Sequence, residues 1–402
     1  MTRYSDFSKL RLCSRFLWLL KDGWAPTRKN SISMNEKNPR IALFVPSFIG
    51  GGAERVMVTI ANNFHRRGLD VELVVFSATG AYLSEVADGV RIVDLGVSRA
   101  IRGVASFARY LNNSKPDVVL VTMTHIALCA FFGRMISLSG RKTKLYVREA
   151  ISPSFHDLRR SFATSVRLFL LRYMYKSVEC VVSTTDEMTV ELEERYTFRR
   201  LVTIGNPVVT ERFRNRLTKN VDCQWPWQSN VPIVMSVGRL GDQKDFATLI
   251  SAFAKVRVSM DARLAIFGEG EYRAQLESQV EELGLSDSVW LPGFVDNPFA
   301  YMAGANLYVL SSKTEGLPNA LIQALCAGTP VVSTRCPTGP ADLLEEGRYG
   351  QLIKVGDINS MAKAIESSLK DDASDDDRKN HFLLKFDENT ICDQYLEAMF
   401  RD

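Results

Sequence analysis

Residues 41–76 read IALFVPSFIGGGAERVMVTIANNFHRRGLDVELVVF, and this stretch decides the fold. An apolar run at Ile41–Val45 leads through a glycine-rich turn into a helical pattern at Val56–Arg67, and a second apolar run follows at Val71–Phe76. Two short β-rich runs separated by a helix form the β-α-β unit of a parallel sheet. The stretch therefore predicts an open α/β sheet with helices on its faces.

The same alternation continues downstream. Further short apolar runs lie at Val118–Val121, Leu145–Val147 and Val178–Ser183. Runs of this kind are typical of strands buried in a parallel sheet, and together they predict one Rossmann-like domain over residues 39–215. Val209–Val231 is polar, contains Pro226 and lacks an apolar period, so it is predicted to be a linker.

A second series begins after this linker. Its predicted strands are Ile233–Val237, Arg263–Phe267, Val289–Leu291, Leu307–Leu310 and Pro330–Ser333, and its predicted helices include Asp245–Val256 and Tyr272–Leu283. The 402 residues exceed what one core usually supports, so a second Rossmann-like domain over 216–385 is expected. Residues 386–402 are predicted to form a helix that packs back toward the first domain. Ligands of open parallel sheets bind beyond the carboxyl ends of the strands. If two such sheets lie edge to edge, the loops at their strand ends would surround one crevice.

The composition and the charge distribution exclude some classes of protein and favour others. Hydrophobic residues make up 46% and charged residues 24%, which is ordinary for a globular protein and excludes disorder as the main state. The net charge of +4 is unevenly divided, because residues 1–220 carry 34 Lys and Arg against 19 Asp and Glu, and the remainder carries 16 against 27. A basic half suits an anionic substrate or an anionic lipid surface. No nucleic-acid-binding motif is present, so nucleic acid is not an expected partner.

The seven cysteines and the apolar runs indicate the compartment. The cysteines are odd in number and are not spaced as a metal knuckle or a redox pair, so we interpret them as reduced thiols of a cytoplasmic enzyme. No apolar run reaches the length of a membrane span. Residues 1–38 carry cations among apolar side chains, a pattern compatible with a short interfacial helix. The alternative is a dispensable extension, with Met34 marking a more compact start.

Two loops at predicted strand ends carry candidate binding residues. Gly51 and Gly52 belong to a glycine-rich loop whose backbone N–H groups could approach a phosphate or a sugar at a helix N-terminus; a simple tight turn is the alternative. This loop is neither the G-x-G-x-x-G fingerprint nor a P-loop. Arg239 and Lys244 follow the strand Ile233–Val237, and two cations beside a helix N-terminus suit a diphosphate. A solvated charge pair is the alternative for them.

The most informative segment is residues 310–325, LSSKTEGLPNALIQAL. A strand ends, Glu315 follows, and Gly316, Leu317, Pro318 and Asn319 open a helix that carries Gln323. This arrangement predicts a carboxylate at the mouth of the crevice, able to accept sugar hydroxyls, beside a helix N-terminus that favours phosphate.

These motifs, taken in order, resemble glycosyltransferase family 4. The likeness rests on Gly-Gly-Ala-Glu-Arg-Val from Gly51, Gly-Arg-Leu…Lys from Gly238, Glu-Gly-Leu-Pro-Asn-Ala-Leu-Ile from Glu315, and Thr-Gly-Pro from Thr338, and it covers about residues 40–385. The resemblance implies a GT-B fold, in which two Rossmann-like doubly wound domains face each other across a cleft. It also implies a retaining glycosyltransferase that uses a nucleotide sugar, with UDP as the expected nucleotide.

The resemblance implies roles for individual residues. Arg239 and Lys244 would stabilise the leaving diphosphate without a metal or another cofactor, and Glu315 would contact the transferred sugar. Gln323 stands where the family usually has a second acid that holds the ribose, and an amide can still bind hydroxyls. His125 would take a catalytic or sugar-contacting role near the donor sugar, with a structural hydrogen bond as its alternative. Glu269 and Phe294, which are carried over more loosely, would lie near the base.

The acceptor side is predicted from residues 155–176, which alternate cations with apolar side chains in a basic amphipathic pattern. Relatives that build surface polysaccharides or lipid-linked oligosaccharides act on polyprenyl-diphosphate sugars. The expected acceptor is therefore a glycan or lipid-linked glycan, and the expected location is the cytoplasm, peripheral to the inner face of the plasma membrane. A core-packing helix with a solvated outer face is the alternative.

Two competing functions are weighed against this one. A phosphorylase or epimerase could use a similar double-Rossmann scaffold, but no motif supports a pyridoxal-binding lysine. A sugar-nucleotide-binding protein that has lost catalysis is the non-enzymatic alternative, and Gln323 is the hint toward it.

Overall fold

The computed structural model describes residues 39–49, 51–97, 100–151, 162–218, 225–227, 231–371 and 376–401. These residues build two parallel β-sheets with helices packed on both faces of each sheet. The predicted α/β class with two doubly wound Rossmann-like sheets is confirmed.

The first sheet has seven strands in the described part of the chain. They are β1 (Arg40–Val45), β2 (Asp70–Val75), β3 (Arg91–Asp94), β4 (Val118–Thr122), β5 (Lys144–Arg148), β6 (Cys180–Ser183) and β7 (Leu201–Thr203). Their order is β3-β2-β1-β4-β5-β6-β7, and every pair is parallel. Leu43 lies opposite both Leu73 and Leu120, so large apolar side chains form a layer across the centre of the sheet.

The second sheet has six strands among the described residues. They are β8 (Ile233–Val237), β9 (Arg263–Phe267), β10 (Val289–Gly293), β11 (Leu307–Leu310), β12 (Val331–Thr334) and β13 (Gln351–Ile353). Their order is β10-β9-β8-β11-β12-β13, again with parallel pairs. Because β8 and β11 are neighbours, the loops that follow them lie side by side at the carboxyl edge.

Helices connect the strands of both sheets. In the first half they are α1 (Gly52–Arg66), α2 (Ala100–Ser114), α3 (Thr124–Ile136), α4 (Phe162–Ser177), α5 (Asp186–Arg195) and α6 (Glu211–Thr218). In the second half they are α7 (Phe246–Ser259), α8 (Arg273–Glu282), α9 (Pro298–Gly304), α10 (Asn319–Ala327), α11 (Pro340–Leu343), α12 (Ile358–Lys370), α13 (Asp376–Lys385) and α14 (Glu388–Phe400). None of the helices in the described ranges combines the length and the apolar character that crossing a membrane requires.

The strand period of two divides each sheet between two cores. Ile41 and Leu43 pack with α1 on one face of the first sheet, whereas Ala42 and Phe44 pack on the other. The last helix, α14, belongs to the first of these cores, where Leu396 is buried. The end of the chain therefore completes the first sheet rather than the second.

The structure corrects the predicted linker Val209–Val231. Residues Glu211–Thr218 form α6, and Phe213 is buried in a core of the second sheet. Only Phe213 and Leu217 of its residues are apolar, too few to show a helical period in the sequence, but they anchor the helix to this core. Residues 219–224 and 228–230 of the predicted linker lie outside the described residues.

Two predicted boundaries also shift. Helix α1 begins at Gly52, four residues before the prediction, so Glu54 lies in its first turn. Strand β4 ends at Thr122, one residue after the predicted Val118–Val121, and His125 is in the first turn of α3. The prediction missed β3, β7 and β13, each of which is an edge strand.

Candidate functional site

Lys244 and Glu315 meet at the carboxyl edge of the second sheet. Lys244 ends a short 3-10 helix, Asp242–Lys244, in the loop after β8, and Glu315 lies in the loop between β11 and α10. The Lys244 Nζ is 2.6 Å from Glu315 Oε1, and the Ser312 hydroxyl donates to the same oxygen at 2.6 Å. Glu315 is only 7% exposed, so water screens this pair weakly.

The two loops are held together by further hydrogen bonds. The side-chain amide of Gln243 donates to the carbonyl oxygen of Thr314 at 2.9 Å, and the backbone N–H of Lys313 donates to the carbonyl oxygen of Gln243 at 2.8 Å. The Thr338 hydroxyl donates to the carbonyl oxygen of Glu315 at 2.6 Å. The carboxylate is therefore positioned by its backbone as well as by Lys244, which is the preorganisation a charge-stabilising site needs.

The N-terminus of α10 lies next to this pair. Pro318 is its N-cap residue, and no side chain caps the helix. Pro318 is buried, and Leu317, Asn319 and Gln323 are half-buried. Uncapped N–H groups carry the positive end of the helix dipole, so this terminus can bind an anion.

The N-terminus of α1 faces α10 from the first sheet. Gly51 is the N-cap residue of α1, again without a side-chain cap, and Gly52 begins the helix. The Nδ2 atom of Asn319 lies 3.4 Å from the point where a β-carbon on Gly52 would sit. A β-carbon on Gly316 would lie 2.0 Å from the carbonyl oxygen of Ala150, so only glycine permits this approach of the two halves.

Glu54 is a buried acid that the sequence analysis did not single out. It is 7% exposed, and its Oε2 has no hydrogen-bond partner among the described residues. That oxygen lies 2.1 Å from the point where a β-carbon on Gly51 would sit. Burial raises the pKa of Glu54, because it disfavours the charged carboxylate.

Arg239, Glu269 and Phe294 lie at the surface. Arg239 is exposed and forms no ion pair within the described ranges. Glu269 is paired with Arg273 at 2.7 Å, and this hydrogen bond lowers the pKa of Glu269. Phe294 is 79% exposed and follows Gly293, whose hydrogen atoms face the Glu269 carboxylate. The structure thus places Glu269 beside Gly293, the chain neighbour of Phe294, and leaves both Glu269 and Phe294 exposed.

His125 is exposed in the first turn of α3, next to Thr124, which contacts a buried acid. That acid is Glu149, 2% exposed, which accepts hydrogen bonds from Tyr175 Oη at 2.6 Å and from Thr124 Oγ1 at 3.4 Å. Burial raises the pKa of Glu149. Glu149 therefore ties the start of α3, and with it His125, to the end of β5.

A cavity of about 530 Å³ lies between α1, α6 and α10. Asn319 and Gln323 line it, whereas Glu315, Lys244 and Arg239 do not. Its remaining charged lining comprises Arg55, Arg66, Arg212, Arg216, Glu85, Glu211 and Glu388. An amide at position 323 therefore faces a charged space that lies between the two sheets.

No group of His, Cys, Asp and Glu residues in the described ranges is arranged to hold a metal ion. The described cysteines are free and buried: Cys129, Cys180, Cys326, Cys336 and Cys392. Cys13 and Cys223 lie outside the described residues.

Sequence reasoning also missed Arg148 and Asn206, which link the first sheet to Asn319. A signal was available for Arg148 and Glu149, because charged residues directly after an apolar run mark the carboxyl end of a strand. For Asn206 the signal was weaker, a polar residue before Pro207 at the start of the connection between the sheets.

Two family models match the chain. The model described as Glycosyltransferase Family 4 matches residues 50–212, and the one described as Glycosyl transferases group 1 matches residues 219–381. The N-acetylgalactosamine-N,N'-diacetylbacillosaminyl-diphospho-undecaprenol 4-alpha-N-acetylgalactosaminyltransferase of Campylobacter jejuni is 25% identical over 346 residues, which cover 83% of this chain and 91% of that protein. The lipopolysaccharide core biosynthesis glycosyltransferase LpsE of Rhizobium meliloti is 26% identical over 360 residues, covering 87% and 96%.

Solved structures match the fold at low identity. The Anabaena protein HepE in complex with UDP has a TM-score of 0.73 at 18% identity, covering 90% of this chain and 99% of that chain. A sucrose-phosphate synthase from Thermosynechococcus elongatus has a TM-score of 0.72 at 18% identity, covering 89% and 97%.

Proposed function

Since the chain is a glycosyltransferase of family 4 with the GT-B fold, we propose that it transfers a hexose-type sugar from a UDP-sugar, with retention of configuration and without a metal. The proposed acceptor is a polyprenyl-diphosphate-linked glycan of surface polysaccharide or oligosaccharide synthesis. Relatives named as acting on diphospho-undecaprenol sugars support this acceptor, and a solved neighbour in complex with UDP supports the nucleotide.

The observation that carries the proposal is the Lys244–Glu315 pair beside the uncapped start of α10. The diphosphate would lie against this helix terminus, with Lys244 and the exposed Arg239 neutralising the charge that develops on the leaving group. Glu315 would then accept hydrogen bonds from the hydroxyls of the transferred sugar, and Gln323 from those of the ribose.

The remaining site residues have proposed supporting roles. Gly51 and Gly52 would allow close approach of the sugar, His125 would contact it, and Glu269 and Phe294 would lie at the base. Because Phe294 is 79% exposed, a base stacked on its ring would cover apolar surface that is now in water.

The decisive experiment measures nucleotide release from a panel of nucleotide sugars, with polyprenyl-diphosphate-linked mono- and disaccharides as acceptors, with and without a chelator. We expect chelator-insensitive release that Lys244→Ala and Glu315→Ala abolish. Lys255→Ala and Glu281→Ala, at exposed positions of the same half, are the matched controls. Nucleotide binding without release from any donor would instead indicate a binding protein, and the anomeric configuration of the product tests retention.

We further propose that the first half binds an anionic membrane through α4. Val166, Phe169 and Tyr173 are 42%, 70% and 54% exposed, and their spacing puts them on one stripe of the helix with the exposed cations Arg172 and Lys176. Apolar side chains among cations on an outer helix face are typical of interfacial helices.

The exposed end of α3 adjoins this face of α4. Met135 and Tyr173 line the same pocket of about 280 Å³, so the exposed end of α3 extends the apolar face of α4. Residues 152–161, within the predicted amphipathic segment, and residues 1–38, the predicted interfacial helix, lie outside the described residues.

Flotation with vesicles that contain phosphatidylglycerol tests this surface. The double variant Phe169→Ser and Tyr173→Ser should stay at the bottom of the gradient, whereas Val258→Ser, at an 89% exposed position in the second half, should float like the wild type. Equal flotation of the double variant and the wild type would remove α4 from the proposal. A variant starting at Met34 tests the N-terminal segment independently.

A further inference from the structure

A buried cation lies behind the start of α10. Arg148, at the end of β5, is 1% exposed. Its guanidinium donates to the Tyr395 hydroxyl at 3.1 Å, to Thr122 Oγ1 at 3.3 Å and to Asn206 Oδ1. These three acceptors are neutral, and the adjacent buried Glu149 adds an electrostatic interaction, so hydrogen bonds carry much of the stabilisation of the buried charge.

The cation determines how the Asn206 amide is turned. A guanidinium has donors only, so the Asn206 atom that faces it must be the carbonyl oxygen. The NH2 group of Asn206 then faces the other way, where it donates to Asn319 Oδ1 at 2.6 Å. Because Asn206 is 4% exposed, water does not compete for either contact.

The same logic determines the orientation of Asn319. With its oxygen engaged by Asn206, its NH2 group points toward α1, where Nδ2 lies 3.4 Å from the β-carbon position of Gly52. The chain of amides therefore begins at a buried cation and ends in an N–H donor between the N-termini of α1 and α10. An Asn319 amide turned by 180° would fill the same volume but present an oxygen there.

We propose that Arg148 and Asn206 are positioning residues that fix the amide orientation of Asn319, so that its NH2 group donates to the diphosphate of the nucleotide sugar. This inference rests on the proposed function, which puts the diphosphate at the start of α10. An amide oxygen in that position would repel the phosphate, whereas an N–H group forms a charge-assisted hydrogen bond.

Asn206→Asp separates this role from a structural one. An aspartate accepts from Arg148 and forms a buried ion pair, so the folded state keeps this link. It has no N–H to offer Asn319, whose amide then turns its NH2 group toward the carboxylate and its oxygen toward the ligand. Affinity for the diphosphate should fall while the melting temperature does not.

The test is calorimetric titration with UDP, displacement of UDP by uridine, and thermal unfolding. For Asn206→Asp we expect a Kd for UDP about 10- to 100-fold weaker, an unchanged affinity for uridine, and a melting temperature no lower than that of the wild type. Tyr395→Phe is the matched control, because it removes the acceptor of Arg148 Nε and keeps the bond from Nη2 to Asn206, so it should leave UDP affinity unchanged.

The outcomes distinguish a failure of the positioning role of Arg148 and Asn206 from a failure of the proposed function. Wild-type protein that binds neither UDP nor another nucleoside diphosphate contradicts the proposed function before any variant is compared. If Asn206→Asp binds UDP as tightly as the wild type, the positioning role is wrong, and the proposed donor site is unaffected. A joint loss of melting temperature and of affinity for both ligands also overturns the positioning role, since that result indicates a structural role alone.

Discussion

Variants of the Lys244–Glu315 pair are expected to change the free energy of unfolding and kcat independently. Lys244→Met removes the ammonium and leaves the Glu315 carboxylate, 7% exposed, with the Ser312 hydroxyl as its remaining hydrogen-bond donor. A buried charge that loses its partner costs about 1–3 kcal/mol or more. Because the Lys244 side chain is 20% exposed and Ser312 stays in place, we expect a loss of about 2 kcal/mol in the free energy of unfolding.

A neutral residue at position 315 should recover most of this loss. The double variant Lys244→Met and Glu315→Gln leaves no unpaired buried charge, so its loss should be smaller than the sum of the two single losses by about 1–2 kcal/mol. Turnover should not recover, because leaving-group stabilisation by the ammonium is still absent. We expect kcat to fall about 10²- to 10³-fold in both variants that lack Lys244.

Urea unfolding of the wild type, the two single variants and the double variant measures the coupling, and nucleotide release measures kcat. Lys255→Met, an exposed lysine on α7, is the control for the loss of a cation. Additive effects on the free energy of unfolding, within about 0.5 kcal/mol, would refute the claim that the two charges stabilise each other. Recovered turnover in the double variant would refute the role of the ammonium at the leaving group.

Three further predictions follow from the packing. Gly316→Ala introduces a β-carbon 2.0 Å from the Ala150 carbonyl oxygen, so it must move the two halves apart and lower kcat/KM by about 100-fold in the release assay. Leu396→Ala, near the end of the chain, empties part of the first core and should cost about 2–5 kcal/mol in urea unfolding. Glu149→Gln should change the pH dependence of stability: burial raises the pKa of Glu149, so the wild type loses stability as pH rises from the usual carboxyl range, and the variant avoids that loss.

Each of these has a matched control. Gly241→Ala, whose β-carbon would meet nothing nearer than 3.7 Å, should keep more activity than Gly316→Ala; the reverse order would contradict the close approach. Leu384→Ala, at a 58% exposed position, should hardly change the free energy of unfolding. An equally small change for Leu396→Ala would contradict the packing of α14 in the first core. Glu193→Gln, at an exposed position, should follow the wild type at every pH, and a Glu149→Gln curve parallel to it would contradict the raised pKa.

The central strands could be predicted from the sequence. The predicted bounds of β8, β9 and β11 match the structure residue for residue. These strands have neighbours on both sides and helices on both faces, so nearly every side chain must be apolar and the run is visible in the sequence. The missed strands β3 and β7 are edge strands with half-buried or exposed residues, and their mixed composition looks like a loop.

The candidate site was likewise predictable from the sequence only in part. That Lys244 and Glu315 lie near each other follows from the sequence, because carboxyl ends of parallel strands share one edge and each residue directly follows a predicted strand. The family resemblance adds roles for them. It carries no information on Arg148 and Asn206, whose local patterns indicate a strand end and a connection but not the link to Asn319.

The sequence by itself therefore determined the class of fold, the central strands and the charged loops, because periodicity and strand-end position are local properties of the chain. Only the tertiary structure decided which polar groups face one another behind those loops. Arg148 reaches Tyr395 across 247 positions of the sequence and Asn206 reaches Asn319 across 113. Which amide atom faces which partner depends on where the donors and acceptors lie in three dimensions. Because these residues are far apart in the sequence, no local pattern reveals those positions.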